Sequence, residues 1–202
     1  MYKGGDIMDK VEELLTNYQT FTTQQAESKG ISRVTLSNLV NQGKLERLKE
    51  GVYIQNDDLV DDYALISYKN KRVVFSHHTA LYLHDLSDRV PNVFHISVPQ
   101  GYNASRLTKK FSNIQVNYIK KENFDLGISI KKSPFGNAIQ VYDAERTICD
   151  IIANKNKIDK QIYTHAIKTY FEQTQIDKRK LIKYSRKLGI ELTLRSLMEV
   201  LG

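Results

Sequence analysis

Cysteine is nearly missing from this chain. Of its 202 residues only Cys149 carries a thiol, which excludes any intrachain disulfide. The expectation is a fold held by its apolar core in a reducing compartment. Long hydrophobic runs are missing too. No stretch approaches the roughly 18 apolar residues of a membrane-spanning helix, so no membrane partner is expected. Residues 1–6 lack the apolar segment of a secretory signal and read as a loose tail, with Met8 a second candidate start. There is no internal repeat and no low-complexity linker, and the scattered glycines form no phosphate-binding loop. The composition that remains, 41% hydrophobic and 26% charged, is that of a globular protein able to bury a core. The length accommodates one large domain or two small ones.

The charge is unevenly spread. A net charge of +7 points to a polyanionic partner only where the cations gather. Residues 1–56 hold 7 Lys+Arg against 7 Asp+Glu, residues 57–143 hold 11 against 9, and residues 144–202 hold 12 against 7. The excess therefore lies toward the C-terminal end. Between residues 29 and 49, however, Lys29, Arg33, Lys44, Arg47 and Lys49 face a single acid, Glu46. The acids Asp6, Asp9, Glu12 and Glu13 lie upstream. This segment is expected to be dipolar, with one basic side suited to DNA.

Local patterns place a three-helix unit and a hairpin first. Val11, Leu14, Leu15 and Tyr18 recur at helical spacing, so residues 9–17 read as a helix. Thr22 or Thr23 can cap a second helix ending near Lys29, where Gly30 breaks it. Ser32 caps a third over residues 33–42, and Gly43 ends it. Residues 45–48 and 52–55 read as strands around Lys49-Glu50-Gly51. Three helices followed by a hairpin is the order of a winged helix-turn-helix. Ala26 supplies the small residue where two helices cross, Gly30 the tight turn, and Ile31, Leu36 and Leu39 the inward anchors. The opposite face presents Val34, Asn38 and Asn41, flanked by Thr35 and Ser37. Ser32, Arg33, Val34, Ser37 and Asn38 are therefore the candidate base readers: Asn38 for an adenine edge, Arg33 for a guanine or a phosphate, Val34 for a thymine methyl. Thr22, Thr23, Lys44, Arg47 and Lys49 are the candidate phosphate contacts. Gln25 and Lys29 stand where such a motif often has apolar residues, and Glu50 at the wing tip repels phosphate.

Beyond Gln55 the pattern becomes mixed. A helix is expected from Asp57-Asp58 to about Lys69, strands over 73–75, 93–98, 114–119, 127–131 and 138–142, and helices from Ser76 to His84 and from Asp143 to Ala153. Helices over 160–173, 177–188 and 191–201 complete the chain. The fold class read from this is α+β: residues 1–56 as a winged helix-turn-helix, then residues 57–202 as a mixed α/β domain ending in several helices.

Three segments, in order, give the chain its family likeness: Gly43-Lys44-Leu45-Glu46-Arg47 with Gly51-Val52-Tyr53; Ser76-His77-His78-Thr79-Ala80-Leu81-Tyr82-Leu83-His84-Asp85-Leu86-Ser87-Asp88 leading to Pro91 and residues 94–99; and Asp143-Ala144-Glu145-Arg146-Thr147 with Asp150. With these it resembles the AbiEi-type antitoxins of bacterial abortive-infection, type IV toxin–antitoxin systems. The resemblance implies a cytoplasmic bacterial protein whose N-terminal domain represses its own operon by binding inverted repeats in double-stranded operator DNA. It implies a C-terminal domain that counteracts an AbiEii-type nucleotidyltransferase toxin without a stable complex. The wing departs from the arginine-rich one usual in that family.

No enzyme is expected, and neither a metal nor a cofactor. His78 and His84 are six residues apart and on different helical faces, which does not suit a metal. Cys149 lies among Ile148, Ile151 and Ile152 and reads as a buried thiol. Glu145 reads as a carboxylate near a helix start, and Arg146 with Asp150 as an i,i+4 pair. The run Lys178, Arg179, Lys180, Lys183, Arg186, Lys187 is either a solvated helix face or a second nucleic-acid contact, with Lys178, Arg179, Lys183 and Lys187 its candidates. Alternatives are a ligand-sensing winged-helix regulator and a DNA-targeted enzyme of nucleic-acid metabolism. Inverted repeats call for two copies, here expected as monomers that cooperate on DNA.

Overall fold

A computed structural model of the chain describes residues 4–173 and 176–201. Two compact units emerge, Met1–Lys69 with Lys132–Ile139, and Asn70–Lys131 with Gln140–Gly202. The first is larger than the 1–56 segment expected, because residues 57–69 and the excursion 132–139 pack with it.

In the first unit, α1 (Gly4–Asn17) is followed by β1 (Thr20–Thr22), α2 (Thr23–Ser28), α3 (Arg33–Asn41), β2 (Leu45–Lys49), β3 (Val52–Gln55) and α4 (Asp62–Ser67). The first helix begins before Asp9, so Gly4 to Asp6 are helical backbone rather than tail; Met1 to Lys3 lie outside the described residues. The hairpin joins β1 in a three-stranded antiparallel sheet of order β1-β3-β2. The sequence alone did not reveal β1, whose three residues are too few for a periodicity. The core is made by Val11 and Leu14 of α1, Phe21, Ala26, Ile31, Leu36 and Leu39. The helix expected from Asp57 starts only at Asp62. Asp57 adopts a φ of 64°, outside helical space, and the side chain of Asp61 caps the helix by accepting from the Ala64 N–H.

Asp61 does more than cap. It is fully buried, and its second carboxyl oxygen accepts from Ser133 Oγ at 2.7 Å and Asn137 Nδ2 at 2.9 Å. Asn137 Nδ2 also donates to the Thr20 carbonyl at 2.7 Å, and Asn137 Oδ1 accepts from Gln25 Nε2 at 3.1 Å. The 132–139 excursion thus completes the polar interior of this unit. Gly136 is required there: its φ is 89°, and a Cβ would strike the Asn17 carbonyl oxygen.

The second unit is α+β. In chain order it holds β4 (Val74–Phe75), α5 (His77–Leu83), β5 (Phe94–Pro99), α6 (Ser105–Lys110), β6 (Ile114–Ile119), α7 (Lys121–Phe124), β7 (Ile128–Lys132), β8 (Ala138–Tyr142) and α8 (Ala144–Ala153). A 3-10 turn over Lys155–Lys157 precedes α9 (Lys160–Phe171), α10 (Lys178–Lys187) and α11 (Glu191–Leu201). The sheet order is β6-β5-β4-β8-β7, with β4 antiparallel to β5 and parallel to β8. Leu81, Ile148, Cys149, Ile151, Tyr170, Leu181 and Leu194 build the helical core. The two short helices α6 and α7 went unread in the sequence. Ser76 sits at the start of α5 but does not cap it with its side chain; its hydroxyl accepts from Ser97 Oγ at 2.9 Å instead. Arg146 makes the expected i,i+4 pair and is wholly buried in doing so: Nε meets Asp150 Oδ1 at 3.0 Å, and NH1 donates to the carbonyls of Asn123 and Leu126.

Four buried or half-buried histidines of this unit, His77, His78, His84 and His95, are biased toward the neutral form. His95 lies against His78 and His77, ring centroids 4.6 and 6.0 Å apart. Burial pushes His77 down to about 3 and His95 down to about 4, with the neighbouring rings adding to it, and lowers His78 and His84 as well. Imidazole in the unfolded chain titrates near ~6.5, so below that pH the unfolded state takes up protons that the folded state refuses. Stability is therefore lost as pH falls from about 6.5 toward 4. Asp150 opposes this: burial, partly offset by Arg146, raises it to about 6, so its protonation favours the fold. Burial also raises the Asp62 carboxyl, and the four depressed histidines outweigh these two raised acids. The melting temperature of the chain is expected to fall between about pH 7 and pH 5, and His95→Gln to flatten that fall. A melting temperature that is flat or rises over this range contradicts the assignment.

Candidate nucleic-acid interface

The helix-turn-helix is built by two caps and a glycine. Thr22 Oγ1 accepts from the Gln25 N–H and Gln25 Oε1 from the Thr22 N–H, a reciprocal capping box at the start of α2. Gln25 is therefore no misfit in the motif, as its polar character implied, but its brace. The spacing Thr22-x-x-Gln25 was the available signal. At the other end Ala26 O accepts from the Ile31 N–H, and Gly30, at φ 79°, turns the chain. Ser32 then caps α3, its Oγ accepting from the Thr35 N–H at 3.1 Å and lying 2.9 Å from Thr35 Oγ1.

These constraints fix which face of α3 is free. Leu36 and Leu39 are buried, while Ser32, Arg33, Val34, Ser37, Asn38 and Asn41 are exposed together. Val34 is 70% exposed, an apolar side chain left largely in solvent. The five sequence-derived base readers thus share one surface, although the Ser32 hydroxyl is partly committed to its cap. Arg33 is also engaged: its Nε meets Glu27 Oε1 at 2.8 Å.

The basic side is thinner than the charge count implied. Lys29 Nζ pairs with Glu13 Oε1 at 2.5 Å, so an acid of α1 reaches the motif it was expected to avoid. Lys49 turns away altogether. Its Nζ donates to the Leu65 carbonyl at 2.6 Å and lies 4.8 Å from the Tyr68 ring centre. It leaves the phosphate-facing set because a half-buried carbonyl and an aromatic face hold it. Lys44 and Arg47 are exposed and have no carboxylate partner among the described residues. Thr22 and Thr23 are half-buried, Thr22 as the cap and Thr23 by its N–H to the Gly51 carbonyl, 2.9 Å.

Tyr68, which no local pattern marked, braces the wing. Gly51 has a φ of 76° at the hairpin turn, and a Cβ there would strike the Tyr68 hydroxyl. Between α3 and the hairpin opens a cleft of about 370 Å³, lined among others by Glu27, Arg33, Ser37, Arg47 and Tyr53. Both signs of charge line it, which weakens the pull on a polyanion at that spot.

In the second unit the run on α10 divides. Lys180 Nζ sits 2.9 Å from both Asp143 Oδ2 and Glu145 Oε2; partial burial works against its charge, but these two hydrogen bonds prevail and raise its pKa. Arg186 pairs with Glu191 at 2.9 Å. Lys178, Arg179, Lys183 and Lys187 remain exposed, without a carboxylate partner among the described residues. Leu181 turns inward to the core. Cys149 is fully buried, its thiol pushed up to about 12 by burial and the neighbouring Asp150. Among the described residues no three His, Cys, Asp or Glu side chains converge as for a metal, and no helix is long and apolar enough to cross a membrane.

The comparisons bear on the first unit above all. No curated protein sequence matches the chain. Among solved structures, the crystal structure of the RV2827C protein from Mycobacterium tuberculosis is similar, with a TM-score of 0.53 over 92% of this chain and 73% of that one at 14% identity, a likeness of fold. Residues 9–54, from α1 to the end of the wing, match the family model of AbiEi antitoxin transcriptional regulators.

Proposed function

We propose that the protein is a sequence-specific DNA-binding repressor of its own operon and the antitoxin of a type IV, phage-directed abortive-infection pair. The observation that carries this reading is the free face of α3, where Arg33, Val34, Ser37 and Asn38 stand in solvent on a helix fixed by Ser32 and Gly30. The family match over residues 9–54 supports it. In this reading α3 enters the major groove by its N-terminal end. Asn38 takes an adenine edge, Val34 a thymine methyl, and Arg33 exchanges Glu27 for a guanine or a phosphate. Lys44, Arg47, Thr22 and Thr23 meet the backbone, and two monomers cooperate on inverted repeats. The exposed cations of α10 form a further phosphate-binding face. The second unit counteracts a nucleotidyltransferase toxin in the cytoplasm without forming a stable complex with it. The reading assigns no catalytic step: Cys149 is enclosed, Asp143 and Glu145 are occupied by Lys180, and Arg146 and Asp150 face one another in the interior.

Substitutions in the full chain separate reading from affinity. Asn38→Ala is expected to cost roughly 1–3 kcal/mol of discrimination between the operator and unrelated DNA, about 5- to 150-fold, with little change in non-specific binding. Neutralising Lys178, Arg179, Lys183 and Lys187 together is expected to weaken binding to all sequences alike. It is also expected to flatten the salt dependence by about 0.9 for every phosphate the variant no longer neutralises. Competition gel shifts over a salt series measure both; an unchanged slope removes α10 from the DNA interface. The antitoxin role is tested by growth: the full chain is expected to restore growth to cells expressing the toxin gene beside it, without co-purifying with the toxin. Failure to rescue refutes that role.

A further inference from the structure

The second unit holds a cleft of about 360 Å³ that plays no part in the DNA reading. It is lined by Pro99 at the end of β5, by α7 after β6, by Ile128 at the start of β7 and by Gln140 within β8. Its volume is at the lower end of the roughly 300–1,000 Å³ range of small-molecule sites, too small for a folded partner and suited to a compact ligand.

Its lining has two parts. Lys71 and Arg72, from the turn before β4, and Lys121, from α7, bring three exposed cations to one rim. None has a carboxylate partner among the described residues. In this they differ from Lys29, Arg33, Lys180 and Arg186, each of which is held by an acid. Asp125 is the one acid of the lining, so the cleft retains an excess of positive charge. Pro99, Phe124 and Ile128 give it an apolar wall. Beside them is Gln140, whose Oε1 is shielded from solvent and accepts no hydrogen bond. A shielded acceptor without a donor is costly, on the order of 1–3 kcal/mol, and is a feature that a ligand N–H can relieve.

Three unneutralised cations from separate segments suit an anion carrying more than one charge, and Arg72 can meet two phosphate oxygens at once. An apolar wall with an amide oxygen beside it suits a flat heterocycle bearing an N–H donor. We propose that this cleft binds a nucleotide, its phosphates on Lys71, Arg72 and Lys121 and its base along Pro99, Phe124 and Ile128, donating to Gln140. The site makes the second unit a receiver of a small-molecule signal. The inference stands independently of the DNA reading, since it is tested with no DNA present.

The test is calorimetric titration of the full chain with ATP and with GTP, and with inorganic tripolyphosphate and the nucleosides as separate arms. At least one nucleotide is expected to bind, at least tenfold more tightly than tripolyphosphate or its nucleoside. The paired substitution Arg72→Ala and Lys121→Ala is expected to weaken that binding at least tenfold. Gln140→Leu is expected to weaken nucleotide binding while leaving tripolyphosphate unchanged. Lys155→Ala with Lys157→Ala, in the exposed 3-10 turn after α8, is expected to change neither. Circular dichroism establishes that each variant is folded before its titration is read. Absence of nucleotide binding at millimolar concentration overturns the proposal, as does binding insensitive to the Arg72 and Lys121 pair. Tripolyphosphate binding as tightly as the nucleotides overturns it too, by reducing the cleft to a general anion patch.

Discussion

The buried carboxyl of Asp61 is the constraint around which the N-terminal unit is organised. One oxygen starts α4, and the other gathers Ser133 and Asn137. Through Asn137 the same network reaches β1 at Thr20 and the cap of α2 at Gln25. An acid enclosed in this way is tolerable only when its hydrogen bonds are made, and here Ala64, Ser133 and Asn137 make them, from two separate stretches of chain. Losing one member strands the others, because each donor or acceptor left behind is enclosed and out of reach of water. The position of α2, and with it the turn that aims α3, rests on this frame as well as on the apolar contacts of Ala26, Ile31 and Leu36.

That frame explains why the free face of α3 is so narrow in chemistry. Inward, Leu36 and Leu39 are committed to the core; at the N-terminal end Ser32 is committed to the cap. What is left for recognition is a short row of small and polar groups with one exposed valine. The cations that the composition promised are largely occupied, with Lys29 on Glu13, Arg33 on Glu27 and Lys49 on the Leu65 carbonyl. In the proposed DNA reading, such a face would lean on direct contacts to base edges more than on bulk charge. Any partner must also compete with Glu27 for Arg33, an exposed pair whose own strength is small, about 0–1 kcal/mol, and therefore readily exchanged.

Much of this was legible in the residues, and the limits of that legibility are physical. Caps, turns and helical faces are local, so Ser32, Gly30, Asp143 and the inward leucines could be read directly. The helix expected from Asp57 overran because nothing local says that Asp57 takes a positive φ, or that Asp61 rather than Asp57 is the cap. The three-residue β1 and the short helices α6 and α7 carry too little periodicity to register. Interactions across long separations left no trace at all: Gln25 to Asn137 spans 112 residues, and Lys49 to Leu65 depends on where α4 comes to lie. The destinations of cations were the least predictable feature, because a lysine on a strand reads the same whether it faces water or a carbonyl. The burial of Arg146 was hidden for the same reason: its i,i+4 spacing to Asp150 fits a surface pair equally well.

The most direct measurement of the central claim is a hydroxyl-radical and methylation-protection footprint of the full chain on the promoter of its own operon. Two protected half-sites in inverted orientation are predicted, with major-groove protection at the centre of each and their spacing set by whole helical turns. Protection no different from that on unrelated DNA of the same length, at physiological salt, would contradict the account.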